Sequence, residues 1–147
     1  VFAVGTSGFP EFDVFARNED EGVSVGTLRL SGAAQASFEA TRHNPIGYDV
    51  RMEIHGSSGG IAVGWDNRIP LAPISLDAPH PTGPPYRDFL DRFAPAYRAE
   101  MSAFVDLVLG SAPNPCPPED ARAAFVAALA AERSVAEGRP VLISEFE

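Results

Sequence analysis

The chain has 147 residues, with 20 Asp plus Glu against 11 Lys plus Arg and a formal charge of −9. All the basic side chains are arginine, so a lysine base, a Schiff-base lysine or a Walker-type phosphate clamp is excluded from these residues. An acidic chain without a basic cluster is also unsuited to nucleic acid or an anionic membrane, because phosphate neutralisation dominates such binding.

At 45% hydrophobic and 10% aromatic residues, the chain has enough apolar mass for a folded core, and its length predicts one domain spanning 1–147. Its single cysteine, Cys116, sits among turn-forming prolines with no neighbouring cation to activate it. No run of 18 apolar residues and no leader pattern is present, so a cytoplasmic, non-membrane protein is expected. Because residue 1 is Val, the chain is expected to be a processed product or an excised piece.

Ten of the 14 prolines fall in Pro70–Pro85 and Pro113–Pro118, leaving three ordered blocks. The first, Val1 to Trp65, reads as strands. Segments Val23 to Leu30 and Ala33 to His43 are predicted to pair through a turn at Ser31-Gly32, with Ala34, Ala36, Phe38 and Ala40 on one face. Val50, Met52 and Ile54 alternate with Asp49, Arg51, Glu53 and His55, predicting a second strand with one buried and one polar face. The run Gly56-Ser57-Ser58-Gly59-Gly60 then turns the chain into a strand over Ile61 to Trp65.

Phe89, Phe93, Tyr97, Met101 and Val105 recur every four residues, the period of an amphipathic helix. Pro95 predicts a break, with a short turn over Tyr86 to Phe93 and the main helix beginning at the proline, capped at its end by Gly110. An alanine-rich helix follows from Pro118-Glu119-Asp120 to Glu137, ending at Gly138, and a short strand is expected over Val141 to Ser144. Strands first and helices last predict an α+β fold: an open, mainly antiparallel sheet with helices packed on one face. No GxGxxG turn is visible.

Polar chemistry concentrates around residues 42–55. The turn Arg42-His43-Asn44-Pro45-Ile46-Gly47-Tyr48 places Arg42, His43 and Tyr48 as candidate substrate-binding groups, able to hydrogen-bond hydroxyls or a carboxylate. Alternation alone accounts for Asp49, Arg51, Glu53 and His55 as a solvated face. His80, in a long loop without periodicity, reads as a solvated residue rather than part of a lid. No histidine pair has metal-ligand spacing and no Ser/His/Asp set can be assembled, so neither catalytic nor metal residues are assigned.

Three groups of residues together resemble a known family. They are Gly47-Tyr48-Asp49-Val50-Arg51-Met52-Glu53-Ile54-His55-Gly56 with Gly59-Gly60; Asp91-Arg92-Phe93 with Ala96-Tyr97-Arg98-Ala99-Glu100 and Phe104-Val105; and Asp120-Ala121-Arg122-Ala123-Ala124, Ala128 to Ser134 and Gly138-Arg139-Pro140-Val141. Their order and spacing resemble the C-terminal domain of Gfo/Idh/MocA oxidoreductases, with the inositol dehydrogenase branch nearest.

The resemblance implies that an N-terminal Rossmann domain outside this chain binds NAD or NADP, and that the present residues shape the pocket for a polyol or sugar. It implies that Tyr48 lies near the substrate, with Arg42 and His43 as weaker carry-overs, and that the uncovered sheet face joins subunits into a homo-oligomer. The family's catalytic lysine, Asp and His belong to the missing part, so this chain alone is expected to bind no cofactor and to be inactive. The competing reading is a free-standing ligand-binding or scaffold module that has lost catalysis. A further alternative, a pocket for an apolar ligand, is opposed by the alanine-rich helix, which favours close packing.

Overall fold

Short runs rich in β-branched and aromatic residues, separated by glycine-containing turns, generate two antiparallel sheets in the computed structural model, which describes residues 1–7, 13–71 and 83–146. The sheets belong to different compact units, Val1–His43 with Pro115–Glu147 and Asn44–Asn114. His80 and most of the first proline-rich stretch lie outside the described residues.

In the first unit, β1 (Phe2–Thr6), β2 (Val23–Arg29) and β3 (Gln35–Thr41) form a meander with β2 in the centre. Register is Val4 opposite Val25 and Gly26 opposite Phe38. The predicted hairpin is present, closed by a 3-10 turn over Ser31–Ala33. A five-residue helix, α1 (Asp13–Arg17), interrupts the block read as strands; it is too short to generate a helical hydrophobic period.

The alanine-rich helix runs over Pro118–Glu137, with Gly138 left-handed at φ 63° at its C-terminus. This helix, here α3, packs on β1. Val126, Ala130 and Ser134, four residues apart, form its buried stripe, and Ala3 and Val141 complete a small core. Alanine at 130 leaves room for a close approach to the strand.

Ser134 is the buried polar residue of that core. Its hydroxyl accepts from the Ala3 N–H at 2.9 Å and donates to the Arg139 carbonyl at 2.6 Å, so both neighbouring backbone groups are satisfied. The expected strand over Val141 to Ser144 is absent. Val141 instead exchanges two backbone hydrogen bonds with Val1, each 2.8 Å, and the chain turns into a 3-10 helix at Ile143–Phe146. The Glu145 carboxylate explains the turn, since it accepts from the Leu142 N–H at 2.9 Å while gripping Arg139.

In the second unit, β4 (Met52–Gly56) and β5 (Gly59–Val63) form a hairpin around Ser57-Ser58, with Ile54 opposite Ile61. Alternation predicted one buried face. Instead Val50, Met52 and Ile54 are 51%, 53% and 46% exposed, because among the described residues no layer covers the apolar side of the hairpin. In the first sheet, likewise, Ala36 and Ala40 are exposed and Phe38 is only half-buried.

The long amphipathic helix, α2, is continuous over Phe89–Val108 and contains Pro95, contrary to the expected break. An internal proline costs about 3 kcal/mol. It is tolerated here in the second turn, below an N-terminus fixed by Asp88, whose carboxylate accepts from the Asp91 N–H at 2.9 Å. Gly110, left-handed at φ 70°, terminates the helix as expected. None of the apolar residues of α2 is fully buried, and Phe89, Met101, Phe104, Val105 and Val108 present its apolar stripe.

Candidate functional site

Tyr48 follows a turn that the sequence specifies locally. Asn44 accepts the Ile46 N–H on its side-chain oxygen at 3.3 Å and the Gly47 N–H on its carbonyl at 3.2 Å. The Tyr48 N–H then donates to the Tyr86 carbonyl at 2.6 Å. Approach at that point is close: a Cβ on Gly47 would stand 2.7 Å from Pro85 Cβ and 2.8 Å from the Tyr86 oxygen. Tyr48 is 36% exposed, and its ring meets Phe93 edge-on at 6.0 Å. Phe93 in turn packs edge-on against Tyr97 at 6.4 Å. The ring is thus braced within its unit while part of the side chain remains accessible.

Beside this segment lies a polar network that spacing alone did not reveal. The Tyr86 hydroxyl donates to Asp66 Oδ2 at 2.7 Å, and the Arg68 N–H donates to Asp66 Oδ1 at 2.7 Å. Arg68 forms a two-pronged pair with Asp91, 2.7 and 3.2 Å, and donates to the Pro84 carbonyl at 2.7 Å. Arg92, nine-tenths buried, donates to the carbonyls of Gly64 and Val50 at 2.8 and 3.3 Å and lies 3.5 Å from Asp66. The guanidinium carbons of Arg68 and Arg92 stand 3.9 and 4.7 Å from the centre of the Tyr86 ring.

The ionisation of the network follows from these contacts. The Tyr86 hydroxyl bond holds the Asp66 carboxyl below its ordinary value, against a desolvation that acts the other way. The same bond raises the Tyr86 phenol. Arg68 holds Asp91 low. The arrangement therefore keeps two carboxylates ionised and the phenol protonated around neutral pH, as a cross-brace requires. Gly64, at φ 83°, permits the approach of Val50 and Arg92, since a Cβ there would fall 2.5 Å from the Val50 oxygen.

Arg42 and His43 belong to the other unit. The Arg42 guanidinium pairs with Asp20 at 2.6 Å, donates to the Glu21 carbonyl at 3.2 Å and lies 4.7 Å from the centre of the Phe15 ring. These contacts fasten the segment after α1 to the end of β3. The backbone of His43 exchanges hydrogen bonds with the Thr41 hydroxyl, at 3.1 and 3.2 Å. Of the face read as solvated, Glu53 and His55 are indeed exposed. Asp49 is not: it is largely buried, pairs with Arg51 at 2.7 Å and keeps Oδ1 without a hydrogen-bond partner among the described residues.

Among the described residues no group of three His, Cys, Asp or Glu could hold a metal ion, and no helix is long and apolar enough to cross a membrane. Both long helices open on carboxylates, Asp88 and Asp91 for α2, Glu119 and Asp120 for α3, where a pyrophosphate requires exposed amides without competing negative charge.

Residues 13–143 match the family described as "Oxidoreductase family, C-terminal alpha/beta domain". The chain belongs to the Gfo/Idh/MocA oxidoreductase family. It is 36% identical over 115 residues to the myo-inositol dehydrogenase Hyg17 of Streptomyces leeuwenhoekii, covering 76% of this chain and 33% of that protein. Among solved structures, a myo-inositol dehydrogenase from Corynebacterium glutamicum aligns with a TM-score of 0.73 and 28% identity, over 94% of this chain and 41% of the other.

A scyllo-inositol dehydrogenase from Lactobacillus casei, solved with bound NAD(H) and scyllo-inositol, shares the fold. Its TM-score is 0.76 at 23% identity, over 97% of this chain and 41% of that one. The antiparallel sheets and helices described above are thus those of the family's C-terminal domain. The chain spans between about a third and two fifths of the length of the curated relatives it matches.

Proposed function

We propose that this chain is the substrate-side and subunit-joining domain of an NAD(P)-dependent oxidoreductase acting on a secondary alcohol of a cyclitol or sugar. The observation that carries the reading is Tyr48, a braced yet accessible phenol in a chain 36% identical to a myo-inositol dehydrogenase. A phenol both donates and accepts a hydrogen bond, which suits the hydroxyls of a polyol. Arg42 and His43 lie in the other unit, where Asp20 already holds the Arg42 guanidinium. The dinucleotide would be held outside this chain, in keeping with the carboxylates at both long-helix N-termini, so the chain alone would be inactive.

The open hairpin supports the subunit-joining part of the proposal. Cross-strand pairing of Met52 with Val63 and of Ile54 with Ile61 places four apolar side chains on one face, each 46–62% exposed. A second copy of the chain would cover such a patch, and closed two-fold symmetry is the commonest arrangement.

The test uses the full-length protein that carries the chain, supplied with NAD or NADP and with myo-inositol, scyllo-inositol or glucose, while reduced nicotinamide is followed by absorbance. Reduction dependent on one of these polyols is expected. No reduction with either nucleotide, together with saturable myo-inositol binding in their absence, would replace the proposal by a non-catalytic binding module.

A further inference from the structure

The network around Tyr86 does more than close a loop, because the Tyr86 carbonyl receives the Tyr48 N–H at 2.6 Å. We infer that Tyr86 is a positioning residue for Tyr48: its hydroxyl, fixed by Asp66, and its ring, flanked by Arg68 and Arg92, set the carbonyl that orients the Tyr48 backbone. This inference rests on the proposed role of Tyr48 for its functional consequence, but not for its geometry.

Each part of the network restrains Tyr86 in a different way. The bond to Asp66, 2.7 Å, fixes the far end of the ring. The guanidinium groups stand 3.9 and 4.7 Å from its centre. Those guanidiniums are themselves anchored, Arg68 by Asp91 on the first turn of α2 and by the Pro84 carbonyl, Arg92 by the carbonyls of Gly64 and Val50. Val50 lies two residues beyond Tyr48, so the segment is held on both sides, by Tyr86 before it and by Arg92 after it. Gly47 allows the Tyr86 carbonyl to come this near. A small displacement of Tyr86 therefore moves the Tyr48 backbone, and with it a phenol whose placement governs hydrogen bonds to a substrate.

The experiment has two readouts on the full-length protein. In the first, hydrogen exchange is followed by mass spectrometry on overlapping peptides that resolve the Tyr48 amide, with the Ala3 amide, held by Ser134 in the other unit, as reference. Tyr86→Phe and Asp66→Ala should each accelerate exchange at Tyr48 by about tenfold, while Asp66→Asn, which keeps an acceptor oxygen, stays near wild type. Exchange unchanged at Tyr48, equal acceleration at Ala3, or identical behaviour of Asp66→Asn and Asp66→Ala would each overturn the inference.

In the second readout, the KM for myo-inositol is measured in a double-mutant cycle. Tyr86→Phe should raise KM in the wild-type background and have no further effect when Tyr48 is already Phe. Equal effects in both backgrounds would contradict positioning through Tyr48. A change in exchange accompanied by no effect of Tyr48→Phe on KM would uphold the positioning geometry and remove Tyr48 from the proposed substrate site.

Discussion

The Tyr48 N–H donates to the Tyr86 carbonyl across 2.6 Å, and Gly47 lies so near that same carbonyl that a Cβ would be 2.8 Å from it. Gly47→Ala should therefore be destabilising, because both the carbonyl and Pro85 are stiff neighbours that cannot swing aside. Forced overpacking of this kind costs about 1–3 kcal/mol. Urea unfolding should show a lowered midpoint with an unchanged slope; a midpoint equal to that of wild type would show that the segment moves freely.

Ser134→Ala removes the group that satisfies the Ala3 N–H and caps the Arg139 carbonyl within the α3–β1 core. Leaving a buried donor unpaired costs about 1–3 kcal/mol. Thermal unfolding should occur at lower temperature in the variant. Retention of the wild-type midpoint would mean that water replaces the hydroxyl without loss.

Acid should loosen the C-terminal clasp. Arg139, then the Leu142 N–H, hold the Glu145 carboxyl down at about 2, below its ordinary 4.5. A carboxylate with a depressed folded-state pKa stabilises above the unfolded value, and this contribution disappears as pH falls through the folded one. Stability should therefore decline between pH 4.5 and about 2, and Glu145→Gln should flatten that decline. Because the pair is solvent-accessible, about 1 M salt should also weaken it. An identical acid limb in wild type and Glu145→Gln would contradict this assignment.

Local pattern carried much of the architecture. The period-four stripe from Phe89, the alanine run after Pro118 and the glycines at 110 and 138 marked both long helices, because helical hydrogen bonding and capping act over a few residues. Pro95 misled because its penalty was outweighed by a well-capped twenty-residue helix. The strand alternation at Val50, Met52 and Ile54 correctly marked an apolar face, but alternation cannot say what covers it.

The candidate site was legible only in part. Tyr48 stood out because it closes a turn, and the family resemblance pointed to the same residue. Asp66, Tyr86 and Asp91 converge across the proline-rich stretch with no periodic signal linking them. Asp49 looked like one more solvated charge, since nothing in its spacing distinguishes a carboxylate paired with Arg51 from one facing water.

The central claim is that this chain presents Tyr48 to a polyol in an NAD(P)-dependent dehydrogenase. Its most direct test is the steady-state kinetics of Tyr48→Phe in the full-length protein with myo-inositol. Loss of one hydrogen bond to a substrate hydroxyl, worth about 0.5–1.5 kcal/mol, should raise the KM for myo-inositol by roughly two- to tenfold and leave the KM for the nucleotide unchanged. Wild-type kinetics for both substrates in Tyr48→Phe would contradict the account.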